Sequence, residues 1–251
     1  MENLFGINSV HARLMLGNVG VDHVMLRDGK LSLRLEELLS LANRKDVRVE
    51  RMSNSEFDDL TDLNHQGAGI VSKPLAMDEQ SLLSMVDRRI SGDVDNSGSK
   101  KLLLLILDGI TDPRNLGACV RSAVSMGVDA IIVPKDKSAP LNEAASKTAS
   151  GGASLVPVVF VTNLARCISQ LQKRQIWVVG TLLETEQMLH QVDMKDNIAI
   201  VMGSEGKGIR QKTEKCCDFL VRIPMVNSDL GFNVSVATGI ALYEVQKQRL
   251  N

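Results

Sequence analysis

Apolar positions in the second half of the chain come in short runs that alternate with stretches of helical spacing. The clearest run is LLLLIL at 102–107, and an Asp/Gly/Pro/Asn cluster then leads into a helical pattern. A continuous apolar run bounded by turn residues is typical of a strand buried on both faces. Similar runs predict strands at 130–133, 156–161, 176–179, 198–202 and 219–223, and the intervening segments predict helices around 116–126, 141–149, 163–174, 206–216 and 233–249. This alternation predicts a largely parallel α/β sheet with both faces covered.

The first 76 residues have a weaker pattern of the same kind, which predicts a small separate α/β domain. Strands are expected at 21–26, 47–52 and 67–73, and helices at 31–41 and 53–63. After this domain, residues 78–90 have helical spacing, but 91–100 read SGDVDNSGSK, a composition typical of flexible linkers. The sequence therefore predicts a domain at 1–76, a linker at 77–100 and a second domain at 101–251.

Composition excludes several classes of protein. No apolar stretch in the 251 residues approaches the roughly 20 that a membrane span needs, and the N-terminus lacks the basic-then-apolar order of a signal peptide. We therefore expect a cytoplasmic protein with no membrane partner. The four cysteines show no ligand spacing, so reduced and mostly buried thiols are expected, with no metal site.

Charge is spread unevenly although the net charge is only -1. Residues 1–76 carry 9 Lys/Arg against 11 Asp/Glu, whereas 101–251 carry 17 against 14. This bias permits a phosphate-rich partner without requiring one, because scattered surface lysines often serve only solubility.

Three polar segments follow predicted strands and are expected to converge on one rim of the sheet. They are Asn115-Leu116-Gly117 with Arg121, the loop GSEGKG at 203–208, and the stretch from 223 to 237. Asn115 is the expected N-cap of its helix, and that helix start is a candidate anion site. The glycines of GSEGKG fit tight-turn chemistry and ligand contact equally well, and Cys119 fits a small buried residue better than a nucleophile.

The same three segments carry a resemblance to a known family. DGITDPRNLGACVRSA, IAIVMGSEGKGIR and IPMVNSDLGFNVSVATGIALYE are similar to the three motifs of the SpoU (TrmH-like) family of RNA ribose 2'-O-methyltransferases. LFGINSVHARL and HQGAGIVSKP resemble its N-terminal part, so nearly the whole chain is covered. The resemblance implies the SPOUT α/β-knot fold with a deep C-terminal trefoil knot, S-adenosylmethionine as cofactor, a homodimer, and a small ribosomal-protein-like RNA-binding domain at the N-terminus.

Site residues follow from the resemblance motif by motif. The catalytic group is Asn115, Arg121, Glu205 and Asn233, and the cofactor contacts are Thr181, Gly203, Ile223, Met225 and Phe232. Family accounts make Arg121 the base, but a guanidinium normally stays protonated and is better suited to holding a phosphate. Glu205 is expected to orient Arg121 or Asn115.

One position departs from the family pattern. Close relatives have Ser-Leu-Asn where this chain has Gly231-Phe232-Asn233, so the serine hydroxyl is dispensable, replaced by water, or supplied by Ser228 or Ser235.

The pattern most resembles the bacterial enzymes that methylate a guanosine of 23S rRNA in the peptidyl-transferase region, which makes that reaction the expected function and large-subunit rRNA the expected partner. Two alternatives remain: a tRNA 2'-O-methyltransferase, and a non-catalytic RNA-binding or ribosome-assembly protein that retains a relict methyltransferase fold.

Overall fold

The computed structural model describes residues 1–62, 64–92, 101–227 and 231–250. The chain forms two compact units: Met1–Leu75 with Ser150–Leu155, and Ala76–Ala149 with Val156–Asn251. Each unit builds its own core around its own sheet.

The first unit is a four-stranded sheet with helices. Its elements are β1 (Glu2–Phe5), α1 (Ile7–Met15), β2 (Val21–Arg27), α2 (Leu33–Arg44), β3 (Arg48–Met52), α3 (Asn54–Leu60) and β4 (Ala68–Ser72). The strand order is β1-β4-β2-β3, with β2 and β3 parallel and the other pairs antiparallel. The sequence predicts five of these elements to within a few residues and misses β1 and α1. Position 63, the predicted end of the helix at 53–63, lies outside the described residues.

The second unit contains the predicted parallel sheet. Its strands are β5 (Ala76–Met77), β6 (Leu103–Asp108), β7 (Ala130–Pro134), β8 (Val158–Val161), β9 (Trp177–Thr181), β10 (Ile198–Gly203) and β11 (Phe219–Val221). Its helices are α4 (Glu79–Ser91), α5 (Pro113–Ser125), α6 (Glu143–Ala149), α7 (Leu164–Gln172), α8 (Gln211–Glu214) and α9 (Val234–Leu250). Every pairing among these described strands is parallel, so the largely parallel sheet is confirmed.

Strand order places a crevice at the centre of this sheet. The order is β11-β9-β10-β6-β7-β8-β5, so the chain runs outward from β6 in one direction and later returns to its other side. The point where strand order reverses is where open α/β sheets bind their ligands, beyond the carboxyl ends of the strands. That point lies between β6 and β10, whose last residues, Asp108 and Gly203, are partners in the sheet register.

The predicted linker at 77–100 is wrong for its first half. β5 pairs with β8, and α4 places Leu82 and Val86, one helical turn apart, in the core of the second unit. An amphipathic helix of this kind is stabilised by the core that it covers, so residues up to Ser91 belong to the second unit. Residues 93–100, the most linker-like part, lie outside the described residues.

The helix predicted at 206–216 is also shorter than expected. It begins only at Gln211, because Gly206 and Gly208 have backbone φ angles of 75° and 62° that a right-handed helix cannot contain. The trefoil knot stays a prediction.

Candidate active site

Asn115, Glu205 and Asn233 meet at the carboxyl rim of the large sheet. Asn115 Nδ2 donates to Glu205 Oε1 at 3.2 Å, and Asn233 Nδ2 donates to Asn115 Oδ1 at 3.1 Å. Asn233 Nδ2 also makes a short hydrogen bond to Glu205 Oε1. These residues lie 90 and 118 positions apart in the chain and come from the three predicted polar segments. The structure thus brings together one residue from each of the three predicted polar segments.

Asn115 reaches this cluster from inside α5 rather than from its cap. Asp112 is the N-cap, since its side chain accepts from the backbone N of Arg114 at 2.8 Å, and Pro113 takes the first helical position. Proline suits that position because its missing N–H would have no helical partner there. The prediction of Asn115 as N-cap is therefore wrong, and its amide is available to the site.

Asn233 is held at the start of α9. Its Oδ1 accepts from the backbone N of Ser235 at 3.0 Å and from Ser235 Oγ at 2.6 Å. With the oxygen fixed in this way, the NH₂ group of Asn233 points towards Glu205 and Asn115. Ser235 thus supports the site through Asn233, whereas Ser228 lies outside the described residues.

Glu205 lies on a loop that closes on itself. Ser204 N donates to Gly208 O at 3.0 Å, and Gly208 N donates back to Ser204 O at 2.9 Å. A Cβ on Gly203 would lie 2.1 Å from the carbonyl carbon of Gly208, so only glycine permits this closure. The glycines of GSEGKG therefore permit a tight turn, and the same loop also lines a neighbouring cavity.

A cavity of about 550 Å³ opens beside the cluster. All five residues predicted to contact the cofactor line it: Thr181, Gly203, Ile223, Met225 and Phe232. Glu205 and Asn233 line it as well, so the cavity and the polar cluster form one site. The prediction omits Leu183, which also lines the cavity; its position two residues after β9 was the available signal.

Arg121 stands apart from this cluster. Its side chain is exposed on α5, six residues and about 9 Å along the helix axis from Asn115. Among the described residues it has no hydrogen bond or ion pair to its guanidinium, so the structure does not join it to Glu205.

Cys119 is a buried core residue. Its Sγ lies 3.4 Å from Thr238 Oγ1, and burial raises the pKa of the Cys119 thiol to about 11. A thiol with that pKa is protonated at neutral pH and is a poor nucleophile. In the described part of the chain, no group of three or more His, Cys, Asp or Glu residues is arranged to hold a metal ion. None of the helices within the same ranges is long and apolar enough to cross a membrane.

Comparison with known proteins identifies the family. Residues 102–243, which contain all three site segments, match the SpoU rRNA methylase family. The chain belongs to that family. Residues 4–77 match a second family, described as RNA 2'-O ribose methyltransferase substrate binding.

Curated SpoU relatives match along almost the entire chain. The 23S rRNA (guanosine-2'-O-)-methyltransferase RlmB of Pseudomonas syringae is 42% identical over 99% of this chain and 96% of its own length. The enzyme of the same name from Vibrio cholerae is 41% identical over 99% of this chain and 98% of its own length.

Solved structures confirm the SpoU fold. The SpoU methyltransferase AviRb from Streptomyces viridochromogenes, in complex with AdoMet, has a TM-score of 0.68 at 22% identity, covering 99% of this chain and 90% of its own. An AdoMet-bound rRNA methyltransferase from Sinorhizobium meliloti has a TM-score of 0.67 at 20% identity, covering 100% and 88% respectively.

Proposed function

We propose that the protein transfers a methyl group from S-adenosylmethionine to the ribose 2'-hydroxyl of a guanosine in 23S rRNA. The observation that carries this proposal is the joining of Asn115, Glu205 and Asn233 at the edge of a ligand-sized cavity, in a member of the SpoU family. The full-length relatives that carry the RlmB name support the choice of substrate. A ribosomal substrate also implies that the protein acts in the cytoplasm.

The cavity suits S-adenosylmethionine. Its volume falls within the roughly 300–1,000 Å³ of small-molecule sites, and Leu183, Ile223 and Phe232 offer an apolar wall for an adenine ring. Thr181 Oγ1 already donates to Val201 O at 3.0 Å, so Thr181 contributes shape and an acceptor rather than a free donor. Bound there, the cofactor supplies a methyl group on a positively charged sulfur.

Methyl transfer also requires that the attacking hydroxyl lose its proton. Glu205 is the member of the cluster able to accept one, because amide side chains are not bases and a guanidinium stays protonated. Its Oε1 is held by Asn115 and Asn233, while Oε2 has no hydrogen bond to the described residues. We therefore assign proton acceptance to Glu205 Oε2, with the two asparagines holding the carboxylate in position.

Arg121 is assigned to the substrate phosphate. It shares an exposed face of α5 with Arg114, seven residues away, and neither guanidinium has a carboxylate partner among the described residues. At the amino ends of the strands, by contrast, Arg89, Lys101 and Arg174 are each paired with an aspartate. Uncompensated positive charge beside the site is what an RNA backbone requires.

A homodimer is part of the proposal. The outward face of α9 exposes Val236, Tyr243 and Leu250, each at 50% or more. These residues recur at helical spacing, so one side of a helix that is otherwise packed on its own unit presents an apolar stripe. A symmetric partner that uses the same stripe would cover it and would lie beside Asn233.

A tRNA target remains the second candidate within this reaction class. It is disfavoured because the relatives that match along nearly the full chain carry 23S rRNA names. A non-catalytic relict is disfavoured because Asn115, Arg121, Glu205 and Asn233 are all present, and three of them are already assembled.

The test is methyl transfer from labelled cofactor to unmodified 23S rRNA, with alkali-resistant linkages mapped to a nucleotide. Labelling at a single guanosine in 23S rRNA is expected, and its location decides whether the target lies in the peptidyl-transferase region. Transfer to tRNA alone would replace the proposed substrate. Calorimetric binding of RNA without binding of cofactor would favour the relict.

A further inference from the structure

An ion pair between Asp108 and Arg210 lies beneath the site, with the carboxylate buried and the guanidinium side chain 40% exposed. Asp108, the last residue of β6, is 0% exposed. Arg210 donates from its backbone N to Asp108 Oδ2 at 3.0 Å, and its Nε and Nη2 both contact Oδ1. One carboxylate therefore holds the main chain and the side chain of the same arginine.

The two partners lie at the bases of two catalytic segments. Asp108 precedes Asn115 by seven residues, at the point where β6 leads into α5, and Arg210 follows Glu205 by five. Asp108 is also the register partner of Gly203, where the Glu205 loop begins. The pair thus ties the end of that loop to the strand from which Asn115 is reached.

The position of the Glu205 loop must be fixed by contacts outside the loop. Its internal hydrogen bonds between Ser204 and Gly208 define its shape but not its position relative to β6. At its start the loop is fixed by the pairing of β10 with β6, and at its end by Asp108 and Arg210. Since the Asn115–Glu205 hydrogen bond spans these two segments, a shift at either anchor would change its length.

The chemistry of the pair suits positioning. The Arg210 guanidinium contacts one carboxylate oxygen through two of its planar N–H groups, Nε and Nη2, which fixes orientation as well as distance, whereas an apolar contact would not. Burying the carboxylate is costly unless it remains paired, so the arrangement resists alternative positions. Reacting groups misplaced by about 1 Å can lose about 100-fold in rate.

We propose that Asp108 and Arg210 are positioning residues for methyl transfer: they hold the Glu205 loop at the distance from α5 that lets Asn115 and Asn233 fix the carboxylate. This inference rests on the proposed function for its kinetic test. The geometric part of the inference is that the pair fixes the positions of the Asn115 and Asn233 side-chain amides.

The second unit contains a matched control. Arg89 Nη2 pairs with Asp129 Oδ1 at 3.1 Å, and Asp129 Oδ2 accepts from the backbone N of Leu103 at 2.9 Å. This second Arg–Asp pair therefore anchors the opposite end of the same strand, β6, away from the catalytic rim. Its loss should cost stability without moving the Glu205 loop.

The experiment compares Arg210→Gln, Arg210→Lys and Asp108→Asn with Arg89→Gln in the full-length protein. Asp108→Asn keeps the buried shape and leaves an arginine whose side chain is 40% exposed, so it remains foldable if Arg210→Gln is not. At a temperature where each variant is folded, Arg210→Gln and Asp108→Asn should lower kcat about 10- to 100-fold and shift the side-chain amide NMR signals of Asn115 and Asn233. Arg210→Lys should recover part of the rate, because it restores the charge but not the two planar N–H contacts.

Arg89→Gln should lower the melting temperature while leaving kcat within about twofold and those amide signals in place. The inference is overturned if the folded Asp108 and Arg210 variants keep kcat and the amide signals, or if Arg89→Gln changes both equally. If the parent protein transfers no methyl group, the proposed function has failed, and the amide signals alone then decide whether the pair positions the cluster.

Discussion

In Glu205, Oε1 accepts hydrogen bonds from two asparagines, whereas Oε2 has no hydrogen bond to the described residues. Gln is therefore the most informative replacement at this position. Glu205→Gln keeps an oxygen to accept from Asn115 and Asn233 but removes the proton acceptor. We expect kcat to fall about 10²- to 10⁴-fold with cofactor affinity nearly unchanged, as measured by steady-state kinetics and calorimetry. The residual rate should rise about tenfold per pH unit, since hydroxide must then take the proton. Wild-type-like turnover in this variant would contradict the assignment.

Substitutions at Arg121 distinguish a need for positive charge at this position from a need for proton transfer by the guanidinium. Arg121→Ala should abolish most turnover and weaken RNA binding, whereas Arg121→Lys should recover much of the activity if the side chain only holds a phosphate. Both effects can be measured by methyl transfer and by RNA binding at several salt concentrations. Lys173→Ala, which removes an exposed cation after α7, is the control and should change neither. An inactive Lys variant that still binds RNA would favour a specific role in proton transfer.

Sequence motifs predict which residues belong to the candidate site, but they do not predict which of those residues contact each other. The five residues predicted to contact the cofactor belong to a quoted motif or follow a predicted strand, and the structure places all five around one cavity. The Asp108–Arg210 pair was missed because its partners are 102 positions apart and no local pattern joins them. Asn and Asp both suit the N-cap position, so residue type alone does not distinguish Asn115 from Asp112, whereas Pro113 at the first helical position does.

Among the secondary-structure elements, α5 packs closely against α6 at Gly117. A Cβ on Gly117 would lie 2.2 Å from the carbonyl oxygen of Ala145 in α6, a backbone atom that cannot rotate away. Gly117→Ala should therefore push the helices apart and destabilise the fold by about 1–3 kcal/mol despite the better helix propensity of alanine. Chemical denaturation measures this. Ser125→Ala, at an exposed position of the same helix, is the control and should be nearly neutral.

The periodicity of apolar residues predicts whether a segment is a strand or a helix. Where an element begins and ends depends on glycine φ angles and on packing. The continuous apolar runs gave the strands of the large sheet because β6 and β10 are buried on both faces. The helix predicted at 206–216 failed in its first half because the spacing of apolar residues does not report backbone φ angles. The polar composition of 91–100 predicts a linker that includes α4, whereas Leu82 and Val86 are buried in the core and Leu83 and Met85 pack against it.

For the whole molecule, the apolar stripe on α9 predicts a dimer, and charged residues introduced into the stripe should prevent it from forming. Val236→Glu and Tyr243→Glu place carboxylates on exposed positions of the stripe, so they should leave the monomer folded but prevent its association. Sedimentation velocity gives the mass. Trp177→Glu, at another large apolar side chain that is 49% exposed, should leave the mass unchanged. A monomeric parent protein, or a Val236→Glu dimer, would contradict the prediction.

The parallel order of the sheet has a consequence for hydrogen exchange. β6 and β10 are neighbours in the middle of the sheet, each pairs on both sides, and no residue in either is exposed. Amides in such strands exchange with solvent mainly when the whole unit opens, so they report the global free energy of unfolding. Asn115 and Glu205 are attached directly beyond these two strands. We therefore expect the polar cluster to lie next to the slowest-exchanging part of the unit, so that local opening at the edge strands leaves its geometry intact.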